Sequence, residues 1–217
     1  MTELIMLRHG QANAGATDEA SYDRLSDLGR QQAAWAGSYL ATLGSFQRVV
    51  TGTMARQIAT GNGLALPGAS HDCDARLNEM DYFGLAGFLR DQQGLPVPTT
   101  QEEFQTHVRD VLGYWSRAEV GPDLETYADF RTRILAAVRD IAAEGRRTVV
   151  VSSTGVIATL MAVALDLDIA RKTDVFLRIA HTSVHRFEVT GDRVHLLQFC
   201  ATPHLDTPDR LHARTMI

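Results

Sequence analysis

The sequence has almost no lysine. Arginines make up 20 of its 21 basic residues, and Lys172 is the only lysine in 217 residues. A Walker-type phosphate loop ends in Gly-Lys-Ser/Thr, whereas Arg171 precedes Lys172. The sequence therefore excludes a nucleotide triphosphatase of that kind.

Cysteine is scarce as well. Only Cys73 and Cys200 occur, and no Cys-x-x-Cys pattern is present. This usage predicts reduced thiols rather than a disulfide framework or a zinc site. No His-Glu-x-x-His motif or Asp-rich loop occurs either, so we expect neither a metal nor another cofactor.

Long hydrophobic runs and a basic amino-terminal region are also lacking. We therefore expect no signal peptide, no membrane span and a cytoplasmic location. The net charge of −5 and the sequence pI of about 5.9 argue against binding to nucleic acid or an anionic membrane. The sequence leaves open whether the protein forms a homodimer.

Strand and helix signals alternate along the chain. Strands are predicted at residues 3–8, 46–51, 147–152, 183–189 and 193–199, the last two as a hairpin. Helices are predicted after Ser26, after Thr53 as the cap of the helix that carries Arg56, and over 124–144 and 156–165. The alternation predicts an α/β fold with three α/β/α layers and a mostly parallel central sheet.

We expect one domain over residues 1–217, because no linker or repeat interrupts the sequence. The composition changes over about 84–122, where glycines and prolines precede a capping box at Thr100–Glu103. This segment is predicted to be a small helical insertion lying over the site.

The first strand ends in Leu7-Arg8-His9-Gly10. Ligands of open α/β sheets bind beyond the carboxyl ends of the strands. A permanent cation next to a titratable nucleophile, with a glycine that allows close backbone approach, suits an anionic group that will be attacked. The pattern therefore favours a phosphoryl group as the ligand.

Three further segments extend this pattern. They are Leu25–Ala33 with Ser26, Gly29 and Gln32, Val49–Thr60 with Arg56, and Leu77–Gly84 with Glu79. With Arg8-His9-Gly10, their order and spacing resemble the histidine phosphatase (phosphoglycerate mutase-like) superfamily to about residue 200. The resemblance implies the phosphoglycerate mutase-like fold.

The resemblance also implies roles for individual residues. His9 would be the nucleophile, Arg8 and Arg56 would hold the phosphoryl group, and Glu79 would be the proton donor. Asp81 is the alternative acid, because two residues further along an extended segment it would point the same way. Residues expected to bind substrate are Gln11, Ser153, Thr154 and His181.

The chain departs from the family at one point. Family members usually have Ser-His-Gly-Gly after the central strand, whereas this chain has Ser152-Ser153-Thr154-Gly155. Ser153 can donate a hydrogen bond but brings no positive charge, and losing such a donor costs about 10²–10³ in rate. His181 and His204 are candidates to fill the gap, although the sequence favours surface or hairpin positions for both.

The leading hypothesis is a metal-independent phosphatase that hydrolyses a small phosphomonoester through phosphorylated His9. An alternative is a catalytically impaired family member that binds phosphate esters or a protein partner. A serine hydrolase with Ser153 as its nucleophile is a third class, but Val151 stands where a nucleophile elbow has glycine.

Overall fold

A six-stranded mixed sheet forms the centre of the protein in a computed structural model that describes residues 2–13, 16 and 18–216. The strand order is β3-β2-β4-β1-β5-β6. The pairs among β1, β2, β3 and β4 are parallel. Strand β5 pairs in the antiparallel direction with β1 on one side and with β6 on the other. The strands are β1 (Thr2–Arg8), β2 (Arg48–Thr51), β3 (Ser70–Cys73), β4 (Thr148–Ser152), β5 (Val184–Thr190) and β6 (Arg193–Ala201).

Helices connect the strands and cover the sheet. They are α1 (Glu19–Tyr22), α2 (Asp27–Thr42), α3 (Ala55–Gly63), α4 (Tyr82–Gln93), α5 (Gln101–Ser116), α6 (Tyr127–Ala143), α7 (Thr154–Leu165) and α8 (Ile169–Phe176). Short 3₁₀ turns lie at Ala75–Leu77, Pro203–Leu205 and Leu211–Ala213. Ser26 caps α2, and the capping box at Thr100 and Glu103 is present, as predicted.

Each face of the sheet carries its own hydrophobic core, because successive side chains of a strand point to opposite faces. Leu4 and Met6 of β1 belong to the core packed beneath α5, α6 and α7. Ile5 and Leu7 belong to the other core, together with residues of α2. The predicted three-layer α/β fold is therefore confirmed.

Helix α1, strand β3 and helix α8 were not predicted. The edge strand β3 has the sequence Ser-His-Asp-Cys, which offers no apolar alternation. Helix α8 is only eight residues long, and Asp168 caps it by accepting a hydrogen bond from the backbone N–H of Arg171. No helix within the described ranges combines the length and the apolar character that crossing a membrane requires.

The functional end of the sheet lies at the carboxyl ends of β1, β2 and β4, where parallel strands finish side by side. Arg8 closes β1 opposite Ser152, the last residue of β4. The backbone N–H of His9 donates to the carbonyl of Ser152 at 2.8 Å. This bond fixes the first residue after β1 against the start of α7.

The only lysine is buried where α8 meets α5 and α6. The Lys172 amine lies 4.1 Å from the ring centroid of Tyr127, 5.5 Å from that of Trp115 and 5.9 Å from that of Phe130. It has no hydrogen-bond partner among the described residues. The rings and Glu79 favour the ammonium form, but burial dominates and lowers the pKa of Lys172 to about 7.

We predict that Lys172 makes stability depend on pH. An unfolded lysine keeps its proton to about pH 10.4, whereas the folded one loses it near 7. The unfolded state then binds one proton more between pH 7 and 10, so stability rises with pH by up to about 1.4 kcal/mol per unit. Urea unfolding of the wild type minus that of Lys172→Met should show this slope. A difference that does not change from pH 7 to 9 contradicts the assignment.

Candidate active site

A cavity of about 720 Å³ opens above the carboxyl ends of β1 and β4. Gln11, which was predicted from the sequence, lines this cavity, and six other predicted residues form its polar floor. These six are Arg8, His9, Arg56, Glu79, Thr154 and His181. Side chains that are up to 173 residues apart in sequence therefore meet in one space.

His9 stands at the centre of the floor and is 2% exposed. Its Nδ1 lies 2.7 Å from the carbonyl oxygen of Gly10. Because a carbonyl can only accept, Nδ1 carries the proton and Nε2 keeps its lone pair. Burial, and then the charges of Arg8 and Arg56, hold the pKa of His9 well below its usual range. The ring is therefore neutral, and its Nε2 is unprotonated.

Gly10 allows the loop after β1 to pass close to α2. A Cβ atom at this position would lie 2.4 Å from the carbonyl oxygen of Gly29, a backbone atom that cannot move aside alone. The backbone N–H of Gly10 donates to Oγ1 of Thr60 on α3 at 3.0 Å. Gly10 thus sets the position of His9 between α2 and α3.

Two backbone carbonyl groups hold the side chain of Arg8. Its Nη1 donates to the carbonyl of Ile179 at 2.5 Å and also to the carbonyl of Met216 near the carboxyl end. Burial lowers the pKa of Arg8, although nearby Tyr22 and Glu79 oppose that change. An arginine keeps its charge throughout, so Arg8 holds a buried positive charge beside His9.

Arg56 is the second residue of α3 and is 1% exposed. The carboxylate of Asp23 accepts hydrogen bonds from the backbone N–H groups of Ala55 at 2.8 Å and Arg56 at 2.9 Å. It also pairs with Nη1 of Arg56 at 3.2 Å. The guanidinium lies 4.9 Å from the centroid of the Tyr22 ring, so the segment before α2 holds Arg56 in place.

The predicted cap of this helix is wrong. Met54, not Thr53, is the N-cap residue of α3, and it makes no side-chain capping bond. Asp23 supplies that function from 32 residues earlier in the chain. No local pattern around residue 53 could reveal a cap that arrives through tertiary structure.

Glu79 is fixed at the start of α7. Its Oε2 accepts from the backbone N–H of Gly155 at 2.8 Å, and its Oε1 accepts from the N–H of Met80 at 3.1 Å. A Cβ atom on residue 155 would stand 2.2 Å from Oε1 of Glu79. The glycine at this position therefore leaves room for the carboxylate.

Asp81 is not placed as predicted. Its side chain is exposed, caps α4 by accepting from the N–H of Gly84 at 2.8 Å, and does not line the cavity. The prediction assumed an extended segment, but the chain turns into α4 at Tyr82, so Glu79 and Asp81 diverge. Among the two predicted acids, Glu79 alone is at the site.

Of the remaining predicted residues besides His181, two line the cavity and one does not. Gln11 and Thr154 line the cavity, and Oε1 of Gln11 accepts from Oγ of Ser26 at 2.8 Å. Ser153 is buried, and its Oγ accepts from Nε2 of Gln57 at 2.8 Å. It is the N-cap residue of α7 and is not part of the cavity wall.

His181 lines the cavity, in agreement with its prediction as a substrate-binding residue, and does not take the surface or hairpin position that the sequence favoured. It is 2% exposed, and its ring centroid lies 5.8 Å from that of His9. Burial, and then the nearby charge of Arg8, hold the pKa of His181 well below its usual range. The other candidate, His204, is buried against Oγ1 of Thr182 at 2.9 Å and does not line the cavity.

The outer wall of the cavity is largely apolar. The predicted insertion supplies most of it, through α4, α5 and the loop between them. Sequence reasoning did not identify these side chains, because they follow ordinary helical spacing. They include Tyr82, Phe83, Val97 and Phe104, with Phe176 of α8 and with His107, whose Nδ1 lies 2.7 Å from the Tyr82 hydroxyl.

Within residues 2–13, 16 and 18–216, no three His, Cys, Asp or Glu side chains are grouped so that they could hold a metal ion. The polar floor carries two guanidinium groups, those of Arg8 and Arg56, whose charges act on His9.

Comparison with known proteins agrees with this geometry. The sequence pattern of the histidine phosphatase superfamily (branch 1) matches residues 4–202. The chain belongs to this superfamily. Among curated proteins, none matches the sequence.

Solved structures share the fold over nearly the whole chain. A mycobacterial glucosyl-3-phosphoglycerate phosphatase in complex with inorganic phosphate has a TM-score of 0.66 at 25% identity, covering 95% of this chain and 100% of its own. YhfR of Bacillus stearothermophilus has a TM-score of 0.67 at 22% identity, covering 94% and 99%. A phosphoserine phosphatase of Entamoeba histolytica in complex with 3-phosphoglyceric acid has a TM-score of 0.64 at 18% identity, covering 94% and 100%.

Proposed function

We propose that this member of the superfamily is a phosphatase that hydrolyses a small phosphomonoester without a metal, through a phosphohistidine at His9. Membership of the superfamily and the fold shared with solved phosphatases support a phosphatase activity. The observation that carries the mechanism is the state of His9. Its Nδ1 is committed to a carbonyl, which leaves the Nε2 lone pair for the cavity that two guanidinium groups also line.

The first step transfers the phosphoryl group to the enzyme. The Nε2 lone pair of His9 forms the N–P bond while the bond between phosphorus and the ester oxygen breaks. Glu79 acts as the general acid and gives a proton to the leaving oxygen, so the alcohol departs neutral. Phosphohistidine and the Glu79 carboxylate remain.

The second step regenerates the enzyme. Glu79 takes a proton from a water molecule, and the water oxygen forms a bond to phosphorus while the N–P bond breaks. Inorganic phosphate leaves, His9 is again neutral, and Glu79 is again protonated. The backbone N–H groups of Met80 and Gly155 hold the carboxylate in one position for both steps.

Arg8 and Arg56 stabilise charge during both steps. The transferring phosphoryl group carries charge on three equatorial oxygens, so catalysis depends mainly on positioning and electrostatics. Both guanidinium groups are buried, and charge-assisted hydrogen bonds are stronger in such surroundings than in water. Both are also held by bonds to other parts of the chain, so they need little reorganisation on binding.

We predict that the wild type hydrolyses p-nitrophenyl phosphate. In His9→Ala, kcat for this substrate should fall by at least about 10³-fold, because no other nucleophile replaces Nε2. Rapid quenching should trap a phosphoryl group that is stable in base and labile in acid on His9. His195→Ala is the matched control, since His195 is exposed on β6 away from the cavity.

Two results contradict the mechanism. Undiminished turnover in His9→Ala eliminates the phosphohistidine. Binding of phosphate by the wild type without any turnover instead favours the alternative, an impaired member that only binds phosphate esters.

The apolar outer wall supports a preference for substrates whose alcohol part is apolar. Among the described residues of that wall, Arg90 is the one cation, and it is paired with Asp91 at 2.8 Å. A second carboxylate on the substrate therefore meets no unengaged cation among the described residues of this wall. Burying about 100 Å² of apolar surface contributes about 2.5 kcal/mol.

We predict that kcat/KM for hexyl phosphate exceeds that for O-phosphoserine by about 10-fold or more. Phe83→Ala should lower kcat/KM for hexyl phosphate and spare methyl phosphate, because Phe83 lines only the outer wall. Phe88→Ala, on the same helix but outside the cavity, is the matched control. Equal kcat/KM values for both esters would contradict the preference.

A further inference from the structure

His181 and His9 both line the cavity with their ring centroids 5.8 Å apart, and their Nδ1 atoms have different hydrogen-bond partners. The Nδ1 of His9 meets a carbonyl, which is an acceptor only. The Nδ1 of His181 lies 2.9 Å from Oγ1 of Thr215, a hydroxyl that can donate or accept. The tautomer of His181 therefore depends on what else Thr215 binds.

A chain of bonds from the backbone fixes what Thr215 does toward Gln32. The backbone N–H of Gln11 donates to Oε1 of Gln32 at 2.8 Å, which fixes the orientation of the Gln32 amide. The Nε2 of Gln32 then donates to the carbonyl of Ala213 at 2.7 Å and to Oγ1 of Thr215 at 3.1 Å. Both amide hydrogens are thereby used.

Thr215 is thus an acceptor toward Gln32, and its own hydroxyl hydrogen is left for His181. The carbonyl of Thr215 lies further from Nδ1, at 3.1 Å, and already accepts the backbone N–H of His181 at 2.8 Å. If the Nδ1 of His181 accepts this hydrogen, the ring hydrogen sits on Nε2. Because Thr215 holds Nδ1, Nε2 is the nitrogen left to face the cavity.

We infer that His181 is a second catalytic histidine, which donates Nε2–H to a phosphoryl oxygen, and that Thr215, held by Gln32, is the positioning residue that sets its tautomer. The inference rests on the proposed phosphatase function. One imidazole offers a lone pair to phosphorus while the other imidazole offers an N–H to the oxygens. Opposite tautomers suit these two roles.

This assignment also accounts for Ser153. The family resemblance leads one to expect a histidine at that position, but the Ser153 hydroxyl is bound to Gln57 outside the cavity wall. His181 supplies an imidazole to the same cavity from the residues that precede β5. The carboxyl-terminal segment is then part of the site, because it orients both His181 and Arg8.

The test is a nitrogen-15 NMR measurement of the histidine side chains, combined with kinetics. The wild type should show His9 protonated on Nδ1 and His181 on Nε2, and inorganic phosphate should shift the Nε2–H signal of His181. Thr215→Val should move the proton of His181 toward Nδ1, since the carbonyl of residue 215 then becomes its nearest partner. Thr215→Ser keeps the hydroxyl and should keep the tautomer.

The turnover rate should fall in the variants that shift the His181 proton to Nδ1 or remove the ring. We predict that His181→Ala lowers kcat by about 10²-fold and that Thr215→Val lowers it by about 10-fold. Thr215→Ser should restore it. Thr202→Val is the matched control, because the Thr202 hydroxyl bonds to Asp206 in the same segment and does not reach the cavity.

The inference is overturned if His181 carries its proton on Nδ1 in the wild type, or if Thr215→Val retains both tautomer and rate. Its failure is distinct from that of the proposed function. Tautomers are read without turnover, whereas loss of the phosphohistidine mechanism shows in His9→Ala alone.

Discussion

The site depends on two buried positive charges that act on a neutral imidazole. Arg8 and Arg56 are both almost fully buried, and each lowers the tendency of His9 to take a proton. Buried charges are costly unless they are paired and hydrogen-bonded. The protein meets part of that requirement with Asp23 and with backbone carbonyls, and a dianionic phosphoryl group in the cavity would meet more of it. The same arrangement that keeps His9 neutral therefore also suits an anionic group in the cavity.

Much of the fold can be understood as support for this arrangement. The β1–β4 pairing sets Arg8 opposite Ser152, so that His9 and the start of α7 lie together. Asp23 joins the segment before α2 to the first turn of α3, and with it fixes Arg56. Helix α7 contributes a backbone N–H to Glu79, and the carboxyl-terminal segment bonds to Arg8 and His181. Four side chains of the floor are held by an element other than their own, which limits their movement; they are Arg8, Arg56, Glu79 and His181.

The sequence predicted what local patterns encode and missed what tertiary contacts decide. The buried strand Val149–Val151, the Ser26 cap and the Thr100–Glu103 capping box follow from short-range chemistry, and the structure has all three. The floor residues Arg8, His9, Arg56 and Glu79 followed from motifs spread over 70 residues. The Asp23 cap had no local signal, because its partners lie 32 and 33 residues away. The sequence left open whether His181 is a substrate-binding or a hairpin residue, because its partner Thr215 lies 34 residues away. The side chain of Asp81 points away from that of Glu79 because α4 begins one residue after Asp81.

Calorimetric titration with inorganic phosphate tests the central claim most directly, because it measures how the two buried guanidinium groups act on an anion without requiring turnover. The wild type should bind phosphate, and Arg56→Gln should weaken the affinity by about 30-fold or more, which corresponds to about 2 kcal/mol for a charge-assisted contact. Arg178→Gln, which changes an exposed arginine outside the cavity, should leave the affinity unchanged. No binding by the wild type, or equal affinities in the wild type and Arg56→Gln, would contradict the account.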